Sequence, residues 1–86
     1  MKVTVLYGGR YNQLTGVSKE VFIVEEGFSL KQLLDLIKDK HGDIIINEIR
    51  SRRAMLLLNG RSVNIDDRVE LKEDDFISIL PPVTGG

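Results

Sequence analysis

The residues with the most chemical promise close the sequence: Leu80-Pro81-Pro82-Val83-Thr84-Gly85-Gly86. Two successive prolines fix φ and remove two backbone donors, so a strand stops at Leu80 and the chain continues as a stiff, extended stem. Gly85 and Gly86 carry no side chains, so a terminal carboxylate on Gly86 can be threaded through a narrow channel into another protein's active site, where that carboxylate is the substrate. A frayed end is the plain alternative for Gly-Gly alone; a strand leading straight into a Pro-Pro stem argues against it. The remaining candidates are thinner. His41 is the single histidine, so a Ser-His-Asp triad would have to be built at a helix end beside Gly42, where the helix dipole already accounts for a cation. His41 with Asp39 and Asp43 offers a metal one nitrogen and two carboxylates, and these read as solvated surface instead; no metal site is expected. Arg50-Ser51-Arg52-Arg53 could dock an acidic partner or a phosphate, but reads as a solvated face. Glu70, Glu73, Asp74 and Asp75 lie close in sequence to the last strand. They would make the base of the tail acidic and steer it to a basic entrance, or serve only as a polar turn. Gly8-Gly9 lacks the other glycines and the Lys-Ser/Thr of a phosphate loop and reads as a strand end. No residue qualifies as a catalytic group of the chain's own.

The elements that must position the tail can be read from periodicity. Lys2 to Tyr7 alternates, with Val3, Val5 and Tyr7 on one face, and predicts a first strand. Arg10 to Ser18 reads as a loop with room for one helical turn. Lys19 to Glu25, rich in β-branched and aromatic residues, predicts a second strand antiparallel to the first. Ser29 and Gln32 form a capping box, with Phe28 and Leu33 as its hydrophobic staple. A helix over Leu30 to His41 follows, with Leu30, Leu33, Leu34 and Ile37 in one apolar stripe and Gly42 as a left-handed terminator. Asp43 to Arg53 predicts an irregular, partly helical crossing. Met55 to Leu58 is a third strand, and Asn59-Gly60 a hairpin into Arg61-Ser62-Val63. Val69 and Leu71 return to the core, Glu73-Asp74-Asp75 turns, and Phe76 to Leu80 is the final strand. The order is ββ, α, ββ: an α+β chain with one main helix packed on one sheet.

Composition removes whole classes of function. Eighty-six residues fill one hydrophobic core, not two. Twelve Lys+Arg against thirteen Asp+Glu leave a net charge of −1, so general attraction to nucleic acid or an anionic membrane is not expected. With no cysteine there is no disulfide, no thiol chemistry and almost no zinc-finger architecture. The longest apolar runs, such as Met55-Leu56-Leu57-Leu58, fall far short of the roughly 20 residues that span a bilayer. The N-terminus has no secretory pattern, and a cytoplasmic location is the expectation.

Through Leu80-Pro81-Pro82-Val83-Thr84-Gly85-Gly86 the chain resembles the ubiquitin-like sulfur carriers, which include the small subunit of molybdopterin synthase (MoaD), the thiamine-pathway carrier ThiS and the archaeal small modifier proteins. Arg10, Leu14, Thr15 and Gly16, the Asn59-Gly60 hairpin and the acidic turn fall in the family's order. Asp74 departs from the glycine common at that turn, and Asp43 to Arg53 matches no family feature. The resemblance implies a β-grasp fold, a mixed sheet around the Leu30 to His41 helix with first and last strands central and parallel. It implies a body over residues 1–80 and a flexible tail over 81–86. It further implies that an ATP-dependent activating enzyme adenylates Gly86 and that sulfur transfer makes a thiocarboxylate. ATP is then consumed by the partner, and no cofactor is held by this chain. Pro81, Pro82, Val83, Thr84 and Gly85 would thread into partners: the activating enzyme and the large subunit of molybdopterin synthase. Alternatively Gly86 would be joined to lysines of target proteins, or the sulfur would go to tRNA or to thiamine synthesis.

Overall fold

The computed structural model describes residues 1–83; Thr84, Gly85 and Gly86 lie outside the described residues. Strand β1 (Lys2–Tyr7) is followed by a short helix α1 (Arg10–Thr15), strand β2 (Lys19–Ile23), the main helix α2 (Leu30–His41) and helix α3 (Asp43–Arg50). Strands β3 (Met55–Leu58), β4 (Arg61–Ser62) and β5 (Phe76–Leu80) complete the chain. The five strands make one mixed sheet in the order β2-β1-β5-β3-β4. β1 pairs parallel to β5, and the other neighbours are antiparallel.

The alternation read in β1 is the packing seen: Val3, Val5 and Tyr7 are buried beneath the helices. Leu30, Leu33, Leu34 and Ile37 of α2 face Leu56, Leu58, Ile77 and Ile79 in the same core. The capping box is complete, with the Gln32 amide donating to Ser29 Oγ at 3.0 Å and the Ser29 amide donating to Gln32 Oε1 at 2.9 Å. Leu71 is buried, and its amide donates to the Phe28 carbonyl at 2.8 Å, which clamps the returning segment against the start of α2. The Asn59-Gly60 turn has positive φ at both central residues, 50° and 84°, as a type I′ hairpin demands.

Three expectations change. Arg10 to Ser18 is not a loop with a single turn, since Arg10–Thr15 is helical and closes on the left-handed Gly16. Its sequence hid this because the only residue it buries is Tyr11. Asp43 to Arg53 is a regular helix over Asp43–Arg50 followed by a turn. Ile45 and Ile49, four apart, enter the core, while Ile44 is exposed, so the isoleucine run is one helical face and a remainder. Gly42 joins α2 to α3 at φ 86° and ψ −179°, a conformation confined in practice to glycine, so it turns the chain rather than adding a left-handed helical residue. Asp74 holds φ 67° where the resemblance favours glycine.

Replacing Ser29 with alanine removes one half of the box and orphans the Gln32 amide. It should cost about 1 kcal/mol and lower the melting temperature by about 4–8 °C in a domain this small. Thermal circular dichroism of Ser29→Ala measures it, and unchanged melting would show that the box carries no stability.

Candidate functional site

The site begins where β5 hands the chain to Pro81. β5 has a bonded neighbour on each side, β1 and β3, so its direction is fixed along its whole length. The rungs with β1 run from the Thr4 amide to the Asp75 carbonyl at 3.0 Å up to the Gly8 amide on the Ile79 carbonyl at 3.0 Å. Just past that last rung, Gly9 turns away at φ 54° and ψ −129°. The two glycines leave space for the stem. A Cβ on Gly8 would stand 2.5 Å from Leu80 Cδ2, and one on Gly9 2.9 Å from Pro81 Cγ. Pro81, Pro82 and Val83 are exposed, Val83 by 87%. Gly8-Gly9, read from sequence as a plain strand end, is therefore the floor of the tail root. Nothing local in the sequence signals this, because the contact joins positions more than 70 residues apart. Of the residues expected to thread into a partner, Pro81, Pro82 and Val83 leave the body together as an exposed stem. Thr84, Gly85 and Gly86 lie outside the described residues.

The acidic root expected for the tail is corrected. Glu73-Asp74-Asp75 precedes β5, so it sits at the far end of a five-residue strand from Pro81, with Asp75 about 20 Å away at the usual rise. Its carboxylates also hold backbone there. Asp75 Oδ2 accepts from the Lys72 amide at 2.8 Å, Asp75 Oδ1 from Asn59 Nδ2 at 2.8 Å, and Glu73 Oε2 from the Lys2 amide at 2.6 Å. Glu70 pairs with Lys72 at 2.8 Å. The polar-turn reading is the right one.

What flanks the tail root instead is a buried carboxylate with two arginines. Arg10 follows Gly9, and Arg53 lies two residues before Met55, the partner of Leu80 across β3 and β5. Between them Glu48 is 2% exposed, 2.7 Å from Arg53 Nε and 3.1 Å from the Arg10 guanidinium. Tyr11 Oη donates to the Arg53 carbonyl at 2.8 Å and lies 3.3 Å from Glu48 Oε1. The Arg53 hydrogen bond and the charge of Arg10 hold the Glu48 carboxyl below its ordinary range, against the opposing pull of desolvation. The basic cluster therefore divides: Arg53 holds Glu48, Arg50 lies 3.7 Å from Asp66, and Arg52 lies in the turn after α3 at φ 62°.

A second buried carboxylate, Glu20, lies under the sheet. It accepts from Tyr7 Oη at 2.9 Å, sits 3.0 Å from His41 Nε2, and pairs with Lys40. His41 lies in the last turn of α2 as expected, but its ring is nearly buried and stands edge-on to Tyr7. Burial pushes the Glu20 carboxyl up, but the hydrogen bonds from Lys40, His41 and Tyr7 outweigh it and bring the carboxyl below its ordinary value. Burial and the Glu20 carboxylate drive the Tyr7 hydroxyl far above the usual phenol range, so it stays protonated. Asp43 pairs with Lys38 at 3.7 Å, apart from His41, and no group of three metal-ligating side chains is found among the described residues.

A mixed sheet ordered 2-1-5-3-4 on one long helix, with the last strand running centrally into an exposed terminal stem, defines a ubiquitin-like β-grasp protein. The family model of ThiS matches residues 5–86, and the chain belongs to the ThiS family. It is 28% identical over 86 residues to a molybdopterin synthase sulfur carrier subunit of Chlamydomonas reinhardtii, covering all of both chains. A solved Pyrococcus furiosus chain assigned as molybdopterin converting factor, subunit 1, is 29% identical at a TM-score of 0.76, over 96% of this chain and 99% of that one. The structure of the complex of subunits 1 and 2 of the Helicobacter pylori molybdopterin-converting factor matches at 26% identity and a TM-score of 0.66, over the whole of both chains.

Two outcomes follow. Gly9→Ala forces a side chain onto a positive φ, which costs about 1–2 kcal/mol, and drives it into Pro81. In an amide correlation spectrum the Gly8 and Val83 signals should move while those of α2 stay; an unmoved Val83 would disconnect Gly9 from the stem. For Glu20, the folded carboxyl ionises below its ordinary value of 4.5. Its stabilisation is therefore complete above that pH and is lost as the pH falls through the folded value. The melting-temperature gap between the native chain and Glu20→Gln should be widest near neutrality and narrow in acid, and a gap constant with pH would refute the ionic role.

Proposed function

We propose that this chain is a ubiquitin-like sulfur carrier whose C-terminal Gly86 carboxylate is adenylated and converted to a thiocarboxylate, and that it supplies sulfur to molybdopterin as the small subunit of molybdopterin synthase. The observation that carries the reading is the stem: a central strand, braced on both sides, delivers Pro81, Pro82 and Val83 into solvent at the root of a Thr84-Gly85-Gly86 end. Membership of the ThiS family and the end-to-end match to relatives named as sulfur carrier subunits support it.

The chemistry explains the design. A carboxylate resists nucleophiles. Attack of its oxygen on the α-phosphorus of ATP releases pyrophosphate and leaves an acyl-adenylate, whose AMP departs when sulfur is transferred to the carbonyl carbon. ATP and the activating enzyme supply those steps. This chain contributes a main-chain carboxylate on a stem slim enough to enter the enzyme. The outer face of the sheet, where Leu6, Met55, Leu57 and Leu80 are half-exposed beside Phe76, runs straight into that stem and offers the body a surface to rest on the partner. The large synthase subunit would then receive the charged tail, as the complex of the two Helicobacter pylori subunits suggests.

Intact-mass analysis of the untagged protein from its own host tests the proposal. The expected species is heavier by one oxygen-to-sulfur exchange. Deleting Gly85-Gly86, or adding one residue after Gly86, should abolish it with the melting curve unchanged. Persistence of the exchange in either variant sinks the carrier reading. A ladder of adducts on other proteins that needs Gly86, with the carboxylate otherwise unmodified, would move the function to protein modification.

A further inference from the structure

The two edges of the sheet differ. β4 is two residues long and carries Arg61, a poor template for another strand. β2 is five residues long and is open. The Tyr7 amide on the Ser18 carbonyl and the Val24 amide on the Met1 carbonyl, each at 2.9 Å, show that Ser18 and Val24 bond towards β1. By the alternation of an antiparallel ladder Glu20 and Phe22 do so too, and Lys19, Val21 and Ile23 turn their N–H and C=O groups to the free edge. The side chains of those three lie on the outer face, with Val21 exposed by 49% and Ile23 by 77%. Lys19 and Glu25 are both exposed, and neither forms an ion pair among the described residues.

We propose that β2 pairs with β2 of a second copy of this chain, antiparallel about a two-fold axis, in the register that sets Phe22 opposite Phe22. Three properties of the strand select that register together. Val21 of each copy lies opposite Ile23 of the other, so the exposed apolar pair is covered and exchanges backbone hydrogen bonds. Lys19 lies opposite Glu25, so each unpaired charge meets its opposite. Phe22 meets its own copy at a non-bonded position, where side chains come closest, on the side where Lys40 Nζ already stands 5.8 Å from the ring centre. The neighbouring register centred on Val21 would put Lys19 against Ile23 and leave Glu25 without a partner. β5 and its stem of Pro81, Pro82 and Val83 lie two strands in from the junction, so both stems stay clear of it in the ten-stranded dimer. The contact is small, so association is concentration-dependent.

Sedimentation of the full untagged chain from micromolar to millimolar concentration at low salt is the test. The average mass should climb from monomer towards dimer, and Ile23→Lys should hold it at the monomer. Lys19→Glu and Glu25→Lys should each weaken association about tenfold, equivalent to about 1.4 kcal/mol, and the double swap should restore it. All these positions are exposed, and the charge swaps test the register independently of position 23. A chain that remains monomeric overturns the proposal and leaves this edge to a strand of another protein. So does a dimer that survives Ile23→Lys, or a double swap that fails to recover.

Discussion

The parallel pairing of β1 with β5 is the constraint on which the rest of the structure depends. Parallel strands cannot be joined by a tight turn, so nearly the whole chain between Tyr7 and Phe76 has to serve as connection. That connection holds the core: α2 crosses the sheet, and β3 returns to bond β5 on its other side. The end of β1 and the end of β5 are thereby brought to the same rim. The tail root is consequently assembled from both termini, Gly8-Gly9 under Leu80-Pro81, and its position is as firm as the sheet itself.

Two buried carboxylates fasten the peripheral elements to this frame. Glu20 draws the last turn of α2 onto β1 through His41, Lys40 and Tyr7. Glu48 draws α1 and the turn after α3 together through Arg10, Arg53 and Tyr11. Buried ion pairs are a weak source of net stability, because desolvation offsets much of the attraction. Their value here is geometric: a carboxylate with three partners is satisfied in one arrangement, and losing any partner leaves a charge in a dry place. α1 has a single buried side chain, so the Tyr11 hydroxyl and Arg10 do much to fix where Gly9 stands beneath the stem.

The sequence reveals these features unevenly, and the division follows the range of the interaction. Ser29 with Gln32, the alternation of Val3, Val5 and Tyr7, and Asn59-Gly60 are local, and each forms as its pattern predicts. α1 escapes because an Asn-Gln-Leu-Thr stretch with one buried tyrosine has no stripe, and its stability is tertiary. The isoleucine run of α3 fits a strand or a helix until packing chooses Ile45 and Ile49. Apart from Arg53, five residues after Glu48, the partners of Glu20 and Glu48 lie in other elements, as far as 38 positions away for Arg10, and no local spacing encodes them. The acidic turn misled for a simple reason. It is close to the tail in sequence, yet a strand runs straight, so its two ends face opposite rims of the sheet.

Side chains with chemical capacity are spent inside the body. Tyr7 stays protonated against Glu20, His41 is turned inwards, and Arg10 and Arg53 converge on Glu48. The proposed sulfur-carrier chemistry would make no demand on them, since it would act on a main-chain carboxylate and need only that the carboxylate reach a partner's active site. A protein under that demand is selected for a rigid root and a slim end. Both requirements are met by backbone: β5 braced on two sides for the root, and proline then glycine for the end. The same logic explains the glycine at the floor of the root, where a Cβ on Gly9 would press on the Pro81 ring and one on Gly8 would displace the Leu80 side chain.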